Sequence, residues 1–377
     1  MKCMAGQEWG ADRGALQTVY VAMIRSVLDY GSMAYGLAAK SQLAKLDRIQ
    51  AQALRICCGA YPTTPIAAMQ VEINEMPLNI RRQQLMAVYW ANLISQDEMH
   101  PTRKILEECW EQGRKKYKSF GRVVEDDIKE MGIDNRCVPR VIHPNNPIWI
   151  CSQPEIDLTL LKMRHREGSN EMEAVKTNEY LRSRYGEHIR IYTDASKRGE
   201  RIGVAVYAPK LQVRRKARIS DQLSVYTGEL MAIVLAVQLI KERRINNAVI
   251  CSDSYSAITS IDNQKSETRP DLMMEILQNL FELKQSKIEV QFMWVPAHVG
   301  IKGNEEADKL AKQAVDEEMV EIEITHSIKE KKSVIKEKMI KKWQQYWDNE
   351  SKGRHLYAIQ KKVGEGRKKG EIEGRKV

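Results

Sequence analysis

Ile189-Arg190-Ile191-Tyr192-Thr193-Asp194 and Ala248-Val249-Ile250-Cys251-Ser252-Asp253 are two strand-like runs, and each closes on an aspartate. In an open α/β sheet, ligands collect beyond the carboxyl ends of adjacent parallel strands, so both carboxylates are expected at one crevice. Between them, Ile202–Tyr207 and Val213–Ile219 flank Ala208-Pro209-Lys210, which reads as a hairpin on the sheet edge. The chain then returns through a helix whose apolar residues Leu230, Ile233, Val234, Val237 and Ile240 recur at helical spacing. Glu229 falls in the first turn of that helix, at its start rather than in the core. A helical stretch runs to Ile261, and Asp271–Lys284 gathers Leu272, Ile276, Leu277, Leu280 and Leu283 on one face. A last strand, Ile288–Val295, is ended by Pro296. The loop from Ala297 to Gly303 is glycine-rich, as a mobile or close-approach segment would be. Asn304 reads as an N-cap, and Glu305 and Glu306 as residues suited to the positive end of the next helix. Asp308 follows one turn later. The fold class is α/β.

One carboxylate at a strand end is ordinarily a cap or a turn residue. Asp194, Glu229, Asp253 and Asp308 as a set point to divalent metal, because carboxylates are hard oxygen ligands suited to magnesium. Two such ions about 3.5–4 Å apart act as a clamp on the attacking and leaving oxygens of a phosphodiester.

The phrases Tyr192-Thr193-Asp194-Ala195-Ser196, Gly228-Glu229-Leu230-Met231-Ala232, Trp294-Val295-Pro296-Ala297-His298-Val299-Gly300 and Gly303-Asn304-Glu305-Glu306-Ala307-Asp308 carry a resemblance. Residues of about 187–316 resemble a type 1 ribonuclease H domain, and the last two phrases are most similar to those of jockey-like non-LTR retrotransposons. The resemblance implies a five-stranded mixed sheet flanked by helices, preceded here by a small helical region. It implies hydrolysis of the RNA strand of an RNA–DNA hybrid by two Mg2+ ions, with Mn2+ as a substitute. Asp194 would bridge both ions, Asp308 would hold the one carrying the nucleophilic water, and Glu229 and Asp253 the one facing the leaving 3′ oxygen. His298, on its loop, would shuttle protons or assist product departure. Hybrid contacts through 2′-hydroxyls would fall to Ala195, Ser196 and the backbone after Asp194. Tyr255 stands where the family places a hybrid-contacting glutamine, and Val225 and Tyr226 where bacterial members have an asparagine pair. The alternative reading is a catalytically idle, nucleic-acid-binding retroelement remnant.

Four segments are expected: helical residues 1–97, an irregular connector 98–186 that closes on a short polar helix at Asn170–Tyr185, the catalytic domain 187–316 and a basic tail 317–377. Gln17–Tyr30, Ser41–Cys57 and Leu78–Ser95 have helical periodicity, with Gly59 as a stop. Ile24-Arg25-Ser26-Val27-Leu28-Asp29-Tyr30-Gly31 and Leu46–Arg55 resemble the thumb-like region behind the palm of non-LTR reverse transcriptases. No tyrosine-x-aspartate-aspartate motif occurs, and Asp126-Asp127 reads as a solvated helix face, so DNA synthesis is not expected. From Thr325 onward the chain carries 16 Lys/Arg against 7 Asp/Glu, nearly all of its net charge of +10. That tail reads as a solvated helix followed by disorder. Trp343, Tyr346, Trp347, His355 and Tyr357 interleave with the lysines and would be able to stack bases. No apolar run is long enough to span a membrane, and no secretory signal opens the chain. The seven cysteines lack zinc spacing, so reduced thiols in an intracellular protein are expected, nucleus or cytoplasm undecided. The expected partner is the hybrid, with no obligate protein partner evident.

Overall fold

The computed structural model describes residues 1–6, 10–105, 120–134, 136–140, 142, 147, 153–163 and 170–364. The chain divides into two compact units, Met1–Asn135 with Lys331–Val377, and Arg136–Glu330.

The first unit is helical. It contains α1 (Arg13–Val19), which continues into a π-wound stretch to Arg25, α2 (Lys40–Cys58), α3 (Ile66–Ile73), α4 (Leu78–Ile94) and α5 (Phe120–Glu130). Gly59 stops α2 as expected: it sits at φ 60°, and the Ala60 amide behind it returns to the Arg55 carbonyl at 3.0 Å. Leu16, Tyr20, Leu54, Met69 and Ile73 form one core, and Met86, Trp90, Leu93, Val124 and Ile128 a second. Asp126 is exposed on α5, as a solvated face requires, but Asp127 beside it is half-buried, so that reading holds for Asp126 alone.

The second unit is built on a six-stranded mixed sheet of order β1-β6-β5-β2-β3-β4. Its strands are β1 (Glu155–Asp157), β2 (Ile189–Arg198), β3 (Arg201–Ala208), β4 (Val213–Ile219), β5 (Asn247–Ser252) and β6 (Glu289–Trp294). Its helices include α6 (Asn170–Tyr185), α7 (Val225–Arg243), α8 (Tyr255–Asp262), α9 (Pro270–Gln285) and α10 (Lys302–Val315). The β3–β4 hairpin forms the edge, as the sequence implied. The expected five strands gain a sixth, β1, which lies parallel to β6 with Ile156 opposite Phe292. Three residues are too few for period-two alternation to register, so a strand this short is read only from its pairing. The segment expected to be an irregular connector also supplies α5 and β1, while α6 is the short polar helix expected at Asn170–Tyr185.

One face of the sheet packs on α7, α8 and α9 through Ile191, Val204, Ile250 and Phe292. The other carries Tyr192, Val249 and Cys251 against Tyr185 of α6 and Ala307 of α10. Alternation along β2 sends Ile191 to the first face and Tyr192 to the second. Leu230, Ile233, Val234, Val237, Leu239 and Ile240 of α7 are all completely buried. At roughly 1.5–3 kcal/mol per buried aliphatic side chain, they commit on the order of 10 kcal/mol to holding α7 against the sheet.

The tail departs from expectation. Helix α11 (Ile328–Asn349) and a short helix at Arg354–Ile359 are folded, and the boundary between the units falls within α11. Ile335, Met339, Trp343 and Trp347 repeat every four residues and are buried, Trp347 completely. Trp347 donates its indole N–H to the Gln360 carbonyl at 3.0 Å and meets the Tyr357 ring at 5.6 Å. The Arg354 guanidinium lies 3.6 Å over that same tyrosine ring. Trp343, Trp347 and Tyr357 are thus committed to packing rather than free to stack bases; the excess of lysine obscured an apolar stripe in the sequence. Tyr346 and His355 remain exposed, and residues 365–377 lie outside the described ones.

Candidate active site

Pairing decides where Asp194 stands. Parallel β5 accompanies β2 from Ile189 to Thr193 and stops at Ser252, whereas antiparallel β3 continues along β2 to Arg198. Asp194 therefore lies four residues inside β2, not at its end, yet at the point where the parallel ladder ends. Asp253 leaves β5 immediately beside it. Glu229 also differs from expectation: α7 begins at Val225, capped by the Ser224 hydroxyl, so Glu229 is its fifth residue and only 6% exposed.

Asp194, Glu229 and Asp253 offer carboxylate oxygens that all lie within 4.8 Å of one another. Two like charges about 4 Å apart repel by roughly 4 kcal/mol at an effective dielectric of 20, so three cannot all ionise comfortably without a cation. Burial, then Asp253 and Asp308, push Asp194 up to about 8. Burial, then Asp194 and Asp253, push Glu229 well above the carboxylate range, and the Ala195 backbone amide opposes this too weakly to reverse it. Asp253 is raised chiefly by burial, against the Asn304 hydrogen bond and the nearby His298. Among the described residues, Glu229 Oε2 is buried without a hydrogen-bond partner. A buried, unpartnered oxygen among mutually repelling carboxylates is the donor set a hard divalent cation fits.

Asp308, on α10, stands outside the 4.8 Å set, and its Oδ2 pairs with Lys312 Nζ at 2.7 Å. His298 is exposed and holds φ 55°, a left-handed conformation that costs a non-glycine residue energy and that the packed loop around it must sustain. Val299 and Ile301 anchor that loop in the core containing Tyr185 and Trp294. Ala195 is buried, Ser196 is half-buried, and both follow Asp194 directly along β2. Tyr255 opens α8 two residues after Asp253 and is 50% exposed.

The sequence suggests Asn304 as a helix cap, and the structure corrects this. Helix α10 already begins at Lys302, and Asn304, 2% exposed, donates its Nδ2 to Asp253 Oδ2 at 3.0 Å. The Trp294 indole donates to the Asp253 carbonyl at 3.0 Å, fixing the same residue from behind. No local signal identifies such a role, since it depends on where α10 lands. Partners of metal ligands typically matter by 10- to 100-fold. Asn304→Ala is expected to weaken Mn2+ binding about 10-fold by calorimetric titration, and wild-type affinity would show that Asp253 orients itself.

Residues 186–316 match the RNase H family model. Similar curated proteins include Ribonuclease H1 of Mus musculus, 28% identical over 166 residues, covering 40% of this chain and 58% of the relative. Ribonuclease H1 of Homo sapiens is 28% identical over 143 residues, covering 34% and 50%. The chain spans about half the length of the curated relatives it matches. A solved structure, that of LC11-RNase H1 in complex with an RNA/DNA hybrid, is similar at 20% identity and a TM-score of 0.28, covering 34% of this chain and 96% of that one.

Proposed function

We propose that the RNase H domain at residues 186–316 hydrolyses the RNA strand of RNA–DNA hybrids with Mg2+, leaving 5′-phosphate and 3′-hydroxyl ends. The observation that carries this reading is the convergence of Asp194, Glu229 and Asp253 within 4.8 Å where the parallel ladder ends. The metal-holding residues would be these three with Asp308. Two ions, when bound there, supply a water activated near neutral pH and a counter-charge for the attacking and leaving oxygens.

The chain's own residues do the rest. Asn304 and Trp294 hold Asp253 in one orientation, and Lys312 restrains Asp308. In the reaction the water oxygen gives up a proton as it bonds to phosphorus, the bond to the 3′ oxygen breaks, and that oxygen takes up a proton. His298, exposed on its loop and near enough to Asp253 to act on its charge, would carry protons to or from solvent. The Ala195–Ser196 backbone and Tyr255 are the candidate hybrid contacts, reading 2′-hydroxyls rather than sequence. The helical unit and the wording of its motifs support descent from a non-LTR retrotransposon polyprotein, with that unit as a thumb-like remnant. Among the described residues, no helix is long and apolar enough to cross a membrane.

The test is a labelled RNA–DNA hybrid incubated with the full chain, with and without Mg2+. Cleavage of the RNA strand alone, abolished by chelator, is expected; cutting in excess chelator, or none with Mg2+ present, overturns the reading. His298→Ala is expected to lower turnover about 10²-fold, within the usual range for proton-transfer groups. Its Mn2+ affinity should stay near wild type; unchanged turnover would reduce His298 to loop structure.

A further inference from the structure

Glu330 lies beyond the stretch that matches the family model, yet its carboxylate, 4% exposed, is among the most heavily hydrogen-bonded groups in the second unit. Its Oε1 accepts from the Ser224 amide at 2.9 Å, the Ser224 hydroxyl at 2.9 Å and the Thr227 hydroxyl at 2.5 Å. Its Oε2 accepts from the Ser327 amide at 3.0 Å, the Ser327 hydroxyl at 2.9 Å and Arg269 Nη1 at 3.3 Å. Arg269 is completely buried and turns its other donors to Asp271.

The Ser327–Glu330 pair alone is a capping box for α11: the glutamate accepts the serine amide while the serine hydroxyl accepts the Glu330 amide at 3.3 Å. A capping box uses one carboxylate oxygen. The other oxygen is given entirely to the first turn of α7, so one negative charge faces the positive ends of two helices. Burial opposes that charge, but the Thr227 hydroxyl, Arg269 and the two serine amides outweigh it and keep Glu330 below the usual carboxylate range.

The segment leading to Glu330 is tied to the entrance of α7 along its length. The Glu321 and Ile322 amides both donate to the Arg218 carbonyl, at 2.9 and 3.2 Å. Ile322 bridges Ile219, and the Ile324 amide donates to the Ser220 hydroxyl at 2.8 Å. His326 Nε2 lies 2.9 Å from the Asp221 carbonyl. Residues 218–224, which enter α7, are thus held from the segment that follows α10.

We propose that Glu330 is a positioning residue for Glu229, acting through Ser224 and Thr227 to fix the first turn of α7 against the repulsion of the carboxylate cluster. Glu229 lies two residues after Thr227, in the part of a helix that frays first when its cap is lost. The unit that holds metal therefore extends past residue 316 to at least Glu330. The consequence for metal binding rests on the reading of Glu229 as a metal-holding residue.

The experiment uses the full chain and four variants, Glu330→Ala, Glu330→Gln, Thr227→Val and Ile322→Ala, the last trimming side-chain packing while keeping the segment's backbone hydrogen bonds to Arg218. Hydrogen exchange of the amides at 227–231 and calorimetric Mn2+ binding are measured beside hybrid cleavage. Glu330→Ala is expected to speed that exchange and to weaken Mn2+ binding about 10-fold, with kcat lowered and the hybrid KM unchanged. Thr227→Val should move exchange and affinity the same way by less, Glu330→Gln should restore part of both, and Ile322→Ala should lower thermal stability alone. Wild-type exchange and affinity in a folded Glu330→Ala chain overturn the proposal. If that variant does not fold, wild-type values in Thr227→Val overturn it instead. The exchange and Mn2+ readouts do not require cleavage, so a chain that responds as expected but leaves hybrids intact upholds the positioning role while refuting the proposed function.

Discussion

Asp194→Asn should reduce hybrid cleavage by about 10³-fold or more and, at pH 8, stabilise the metal-free fold. A loss of 10³ corresponds to about 4 kcal/mol of transition-state stabilisation. That is a moderate demand on the proposed bridging ligand, whose amide keeps the shape but not the charge. The stability effect follows from the same burial. Asp194 is raised from its ordinary 3.8 to about 8 in the fold by desolvation, Asp253 and Asp308. A group raised on folding contributes stability that is fully present below the unfolded value near 4 and is lost as pH climbs through about 8. Asparagine does not titrate, so parent and variant should melt alike near pH 4, and the gap should open with rising pH to a few kcal/mol above pH 8. Saturating Mg2+ should close it, because binding stabilises only the parent. A melting difference independent of pH, or cleavage near the parent rate, would sink the assignment of Asp194 to the metal site.

Gly203→Ala should disable the site from its far side. Gly203, on β3, faces α10, and an added Cβ would collide with the Ala311 carbonyl oxygen, approach the Val315 amide nitrogen at 2.6 Å and the Ala314 methyl at 2.7 Å. Two of these three atoms are backbone, so no rotamer change relieves the clash, and α10 as a whole must move. Overpacking of this kind costs typically 1–3 kcal/mol, or about 2–10 °C for a unit of this size. Helix α10 carries both Asn304 and Asp308, and a displacement near 1 Å can cost on the order of 10²-fold in rate. Differential scanning calorimetry and hybrid cleavage together test this. Parent-like melting and rate would mean that α10 seats itself without the close approach at Gly203.

The local elements of the second unit were legible because each one's periodicity is written in a short window. Alternation and apolar runs marked β2 to β6, the three- and four-residue spacing marked α7 and α9, and the run into Asp194 and Asp253 implied adjacent parallel strand ends. Asp194, Glu229 and Asp253 do come together, since that depended only on strand order and on the helix between. Four features were decided by tertiary structure alone. Strand β1 is too short to announce itself and exists only by pairing with β6. Asn304 changes from helix cap to partner of Asp253 because α10 starts three residues earlier than a capping residue there would imply. Trp343 and Trp347 become core because an apolar stripe repeating every four residues outweighs the lysines around it. Glu330 reaches the entrance of α7 across about a hundred residues of chain, and no pattern within α11 could show that its second oxygen is spoken for. Short-range order follows from propensity and spacing; what a side chain does at long range follows from register and packing, which only the assembled fold supplies.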